Sequence, residues 1–182
     1  MYNNMVKKYN VLDEIDDELG SFTMSAGLYS FSPFHPDKNG YTVFKIGVSM
    51  SSVRRRVDNY ITYYPKGVYY NGFLTGFQEE NKIKLKRKIE QVEKEIFYML
   101  DNYKKDEKSK MVISTQRIKN NSKTEWIYTK AKYIDEVFDV MAEKYNLIYK
   151  GYDNDFNLYV KNDFKNIKKN LKPYFKGEIL FY

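Results

Sequence analysis

The stretch Tyr41–Tyr60, YTVFKIGVSMSSVRRRVDNY, constrains this chain more than any other. It opens with an apolar, β-prone run, Thr42-Val43-Phe44-Lys45-Ile46, that ends at Gly47. Ser49, Ser51 and Ser52 follow, and their hydroxyls suit a helix N-cap. A short helix from Val53 to Ile61 then carries Arg54, Arg55 and Arg56. Strand, glycine turn and arginine-bearing helix together present cations and free backbone N–H groups to a phosphate. An ordinary strand–helix unit with a solvated basic face has the same order, and these residues alone do not separate the two. Within the helix, Val53, Val57 and Ile61 form the buried stripe at 3.6-residue spacing. Arg55 then points into water, while Arg54 and Arg56 flank the stripe and can reach the sheet edge.

The flanking sequence supplies the rest of a sheet. Gly27–Ser32 alternates as a strand, and the loop SPFHPDKNG, ending in Asn39-Gly40, leads into a second strand from Tyr41 to Val48. In such a hairpin Tyr29 lies beside the Lys45-Ile46-Gly47 end. Tyr63–Gly67 reads as a turn and Val68–Phe77 as a third strand, with Gly72 and Gly76 marking bulges or close backbone approach. Lys82–Tyr103 is the longest helix, with Leu85, Ile89, Val92, Ile96, Leu100 and Tyr103 on one stripe. Glu93 sits at the rim of that stripe, whereas Glu90 lies among lysines. A carboxylate at a buried rim can hold a divalent ion, and one in a lysine field is usually a solvated ion pair. Asp101–Lys123 reads as a polar connection, Thr124–Tyr128 as a final short strand with Trp126 packing, and Lys130–Asn146 as a second amphipathic helix.

The residues also exclude chemistry. The chain has no cysteine and one histidine, His35, in a proline-flanked loop. Disulfide frameworks, cysteine zinc sites and sites that need several histidines are therefore ruled out, and His35 in its loop reads as structural rather than as the base of a Ser–His–Asp triad. No run of about 18 apolar residues exists, so a membrane-spanning helix is not expected, and an intracellular, reducing compartment is the simplest home. The net charge of +7 is uneven: residues 1–25 carry −3 and the remainder +10. Residues 82–123 hold 13 Lys or Arg against 6 Asp or Glu. That balance points to a polyanionic partner, and Arg117 offers a second phosphate contact. The acidic cluster Asp13–Glu18 reads as a solvated helix face, with a metal site and an acidic lid as the other readings. The 182 residues divide into an acidic segment (1–25), a domain (26–146) and a basic, aromatic extension (147–182). In that extension LIYKGYDNDFNLYVK looks like a hairpin and NDFKNIKKNL like a short basic helix.

The pattern Gly27-Leu28-Tyr29, Lys45-Ile46-Gly47 and Arg56-Val57…Tyr60, closed by Glu125-Trp126, resembles the GIY-YIG endonuclease superfamily. The resemblance is to its KIG-type branch, found among phage-type and large-DNA-virus proteins. Lys45 stands where the classical motif has its second tyrosine. The resemblance implies an α/β domain of the α+β kind: a small, three-stranded, mainly antiparallel sheet flanked by helices. It implies a DNA endonuclease in which Tyr29 helps activate water, with Lys45 lowering its pKa. Arg56 would grip the scissile phosphate, with Arg55 as the fallback, and Glu93 would hold one Mg²⁺ or Mn²⁺. Two other classes stay open: a nucleic-acid-binding module on the same fold that does not cut, and a structural protein with an aromatic interface.

Overall fold

The computed structural model describes residues 24–34, 36–62, 69–102, 106–114, 125–151, 172 and 177–181. Strand β1 (Gly27–Ser32) and strand β2 (Tyr41–Ser49) form the expected hairpin, with Tyr29 opposite Gly47 and Phe31 opposite Lys45. Its turn is closed by Asp37, whose carboxylate accepts from Asn39 N (2.8 Å) and Tyr41 N (3.0 Å). Gly40 adopts φ 85°, a conformation that side chains disfavour. Helix α1 (Val53–Asp58) follows, then a 3₁₀ turn (Asn59–Thr62) and strand β3 (Tyr69–Thr75). Helix α2 (Lys82–Asn102), strands β4 (Lys110–Ser114) and β5 (Trp126–Lys130), helix α3 (Ala131–Tyr145), and strands β6 (Ile148–Gly151) and β7 (Ile179–Phe181) complete the described elements.

The sheet is larger than the sequence suggests. It has seven strands in the order β6-β3-β1-β2-β5-β4-β7, every neighbouring pair antiparallel, so the expected three-stranded sheet is incorrect. The α+β class stands, and β3-β1-β2 is a contiguous part of the larger sheet. The additional strands are short. Lys110–Ser114 lies inside the stretch read as a polar connection, because lysines at Lys104, Lys105, Lys108 and Lys110 hide the three-residue apolar run Met111-Val112-Ile113. Ile148–Gly151 pairs with β3 and Ile179–Phe181 with β4, so both described pieces of the C-terminal stretch belong to this sheet. The acidic segment up to residue 23, His35, Arg117, the remainder of the hairpin expected after Gly151 and the basic helix near residue 165 lie outside the described residues.

Both sheet faces are covered, which is why β1 is buried along its whole length instead of alternating. On one face Tyr29, Phe31, Val43, Phe73 and Trp126 pack with Val53 and Val57 of α1. On the other, Leu28, Phe44, Ile46 and Leu74 pack with Ile89, Val92, Ile96 and Leu100 of α2 and Ile134, Val137, Phe138 and Met141 of α3. Asp106 ties this frame together, accepting from the hydroxyls of Tyr41, Tyr133 (3.2 Å) and Ser109 (3.1 Å). Among the described residues no helix is long and apolar enough to cross a membrane.

The two faces of α2 give a direct check. Ile96 is fully buried and Ile83 is 66% exposed. Ile96→Ala should cost about 2–5 kcal/mol in denaturant unfolding, and Ile83→Ala no more than about 0.5 kcal/mol. Equal effects would contradict this packing.

Candidate active site

The face covered by α1 carries a cluster built from β1, β2, α1 and the residue before β5. Tyr29 supplies its centre. The Tyr29 ring can lie across β2 because its partner there is Gly47: a Cβ at Gly47 would stand 2.6 Å from Tyr29 Cζ and closer still to the hydroxyl. The glycine ending the apolar run is thus a space requirement, met by the only residue without a side chain.

Helix α1 brings the arginine. Ser52 is its N-cap, and its hydroxyl accepts from Arg55 N at 3.2 Å. Ser49 supports the cap by donating to Ser52 O (2.8 Å), and Ser25 O accepts from Val53 N (3.0 Å). With Val53 and Val57 fixed in the core, Arg56 falls on the flank facing β1, where its guanidinium interacts with the Tyr29 hydroxyl. Arg55 is exposed, as its helical position requires; the side chain of Arg54 lies outside the described residues. Just after α1, the Tyr60 hydroxyl sits 3.3 Å from that of Tyr29. The Tyr60 ring packs on Phe31, centroids 4.9 Å apart, and lies 5.9 Å from Arg56 Cζ.

Lys45 completes the cluster from β2. It is 4% exposed, and its ammonium pairs with the Glu125 carboxylate. It also lies 5.6 Å from the Tyr60 ring centre and 5.5 Å from that of Trp126. The expected action of Lys45 on Tyr29 is not what the surroundings produce. Burial, then the charge and hydrogen bond of Tyr60, push the Tyr29 hydroxyl well above the ordinary tyrosine value, and Arg56 only partly opposes this. Tyr29 therefore stays protonated at neutral pH. The Arg56 guanidinium is raised in turn by its hydrogen bond to Tyr29, by Tyr60 and, more weakly, by Glu125.

The structure thus brings Tyr29, Lys45 and Arg56 together. It places Glu93, partly buried, on α2, the helix against the opposite sheet face. Two members of the cluster escaped the sequence reading. Tyr60 was visible as the aromatic four residues after Arg56. Glu125 was visible only as half of Glu125-Trp126, with nothing to link it to Lys45. For a metal, the cluster has one carboxylate, and Lys45 already neutralises it; among the described residues no group of three or more metal-ligating side chains forms. The residues around Tyr29 do not fit a divalent ion. Glu93 has suitable chemistry on its own layer, since Mg²⁺ commonly takes one or two carboxylates and completes its shell with substrate phosphate oxygens.

The raised tyrosines predict an alkaline signature. A tyrosine whose folded pKa exceeds its unfolded value near 10 contributes stability that is complete below that pH and is lost as pH rises beyond it. Tyr128, pushed up to about 12 by burial and by Asp37, belongs to the same set. Tyr29→Phe should flatten the decline in stability above pH ~10, followed by circular dichroism. An unchanged slope would contradict the burial of this hydroxyl.

Residues 27–142 match the family model of the T5orf172 domain. No curated protein and no solved structure matches the chain.

Proposed function

Because the chain belongs to the T5orf172 domain family, a phage-associated domain related to nuclease folds and associated with nucleic-acid interaction, we propose that it is a DNA endonuclease of the GIY-YIG type acting at the Tyr29 cluster. The observation that carries this reading is the Tyr29 hydroxyl, 3.3 Å from the Tyr60 hydroxyl and beside the Arg56 guanidinium. A phosphate drawn to the exposed Arg56 meets this cation and the half-buried Tyr60, with the Tyr29 hydroxyl behind them.

In this reading Arg56 binds a non-bridging oxygen of the scissile phosphate and stabilises the charge that develops there. A water oxygen attacks phosphorus and the P–O ester bond to the leaving oxygen breaks. Tyr29, kept protonated by burial, orients that water through its hydroxyl oxygen, and the proton the water loses passes to the leaving oxygen as its bond to phosphorus breaks. Glu93, expected to hold one Mg²⁺ or Mn²⁺, lies on the opposite layer of the sheet, so no step at this cluster is assigned to it or to an ion it would hold.

One observation favours a second reading, a DNA-binding module that does not cut. Tyr29 is held protonated and Lys45 is neutralised by Glu125, so the cluster contains no ready base. Plasmid nicking with Mg²⁺ or Mn²⁺ separates the two. Cleavage by the wild type should fall by about 10²-fold or more in Tyr29→Phe and Arg56→Ala, with gel-shift affinity for Tyr29→Phe unchanged. Full cleavage by Tyr29→Phe would remove the nuclease assignment from this cluster. Tight, salt-dependent binding without cleavage by the wild type would establish the binding module.

A further inference from the structure

We propose that Glu125 is a positioning residue of this site, the carboxylate that allows a lysine to stand at position 45 and that holds Tyr60 and Arg56 in register with Tyr29. The inference rests on the phosphodiesterase reading for its catalytic consequence, but not for its geometry.

Glu125 is fastened to β2 at two points. Its backbone carbonyl accepts from Ile46 N at 2.8 Å, and its carboxylate pairs with Lys45. The next residue, Trp126, pairs directly with Lys45 across the β2–β5 ladder. The Lys45 ammonium is therefore enclosed by Trp126, Tyr60 and Glu125. A buried ammonium is tolerated only where an anion or strong acceptors compensate its lost hydration. Glu125 provides that anion while its own side chain stays 39% exposed, at the border between cluster and solvent.

The Tyr60 ring has cations on two sides, Lys45 Nζ at 5.6 Å and Arg56 Cζ at 5.9 Å. With Glu125 charged, the three groups carry one net positive charge. Without it, two cations share one ring, and the field of Glu125 that favours the Arg56 guanidinium disappears. Mutual repulsion then drives the mobile partner, the exposed Arg56, outward, and Tyr29 loses its contact with the guanidinium. Glu125 never touches the phosphate in this account. It acts through Lys45 and the Tyr60 ring.

The consequence has an unusual sign. Glu125→Gln makes the protein more positive, so its general affinity for DNA should not fall. The turnover step should fall by about 10²-fold, the scale of an active-site displacement near 1 Å. The test uses the full chain, wild type, Glu125→Gln, and Lys45→Tyr/Glu125→Gln, which removes both charges together. Two measurements are made: side-chain NMR of the Arg56 Nε–H and the Trp126 indole N–H, and single-turnover plasmid cleavage alongside DNA affinity. The Trp126 signal is unambiguous, since it is the only tryptophan in the chain.

Shifted Arg56 and Trp126 signals in Glu125→Gln, slower cleavage at undiminished affinity, and recovery of at least about ten-fold in the double variant support the proposal. Unmoved signals overturn it. So does cleavage by Glu125→Gln at the wild-type rate, or a double variant no faster than Glu125→Gln. If the wild type does not cut DNA, the nuclease reading fails separately, and the NMR signals alone decide whether Glu125 holds the cluster.

Discussion

The packing of the Tyr29 ring over Gly47 is the contact on which the site depends. It fixes which residues of β1 and β2 share a face. Tyr29, Phe31 and Lys45 look toward α1, while Leu28, Phe44 and Ile46 look toward α2 and α3. A slip of one residue in this pairing would exchange the two sets and turn the tyrosine into the wrong core. The same contact determines where α1 must lie, because Val53 and Val57 close the aromatic side of the sheet and thereby carry Arg56 to the Tyr29 hydroxyl.

Charge in this cluster is managed by pairing. Lys45 is nearly inaccessible to water and would be costly alone; Glu125 compensates it from a strand that joins the same sheet. The pairing also explains why the lysine does not activate the neighbouring tyrosine. Its field is cancelled locally, and burial of Tyr29 dominates instead. The Tyr60 hydroxyl, 3.3 Å away, is the polar group that shares this buried site with Tyr29.

Much of this was legible in the sequence, and the remainder was hidden for definable reasons. The β1–β2 hairpin, the three helices and their buried stripes follow from alternation and 3.6-residue spacing, which are strong in segments such as Lys82–Asn102. Ser52 was one of three capping candidates, and only the observed bond to Arg55 N selects it. Strands β4 and β7 have five and three residues, too few to show a period, and β4 sits in a lysine-rich background, while β6 falls in the segment read as a hairpin but its pairing with β3 was not foreseen. The Lys45–Glu125 pair spans 80 positions, a separation at which local pattern carries no information. Helical geometry pointed Arg55 into water but left Arg54 and Arg56 open, with Arg56 preferred only by the resemblance, whereas the layer on which Glu93 lies depends on how α2 docks on the sheet.

The central claim is that DNA phosphate is received at the Tyr29–Tyr60–Arg56 face and not on the basic outer surface of α2. Mapping NMR side-chain and backbone shifts while titrating a short DNA duplex into the full chain tests it most directly. The account predicts the largest shifts at Arg56, Tyr60, Tyr29 and Trp126, with only weak, salt-sensitive changes at Lys84, Arg87 and Lys94. Shifts concentrated on α2, with the Arg56 and Tyr60 signals unmoved, would contradict it.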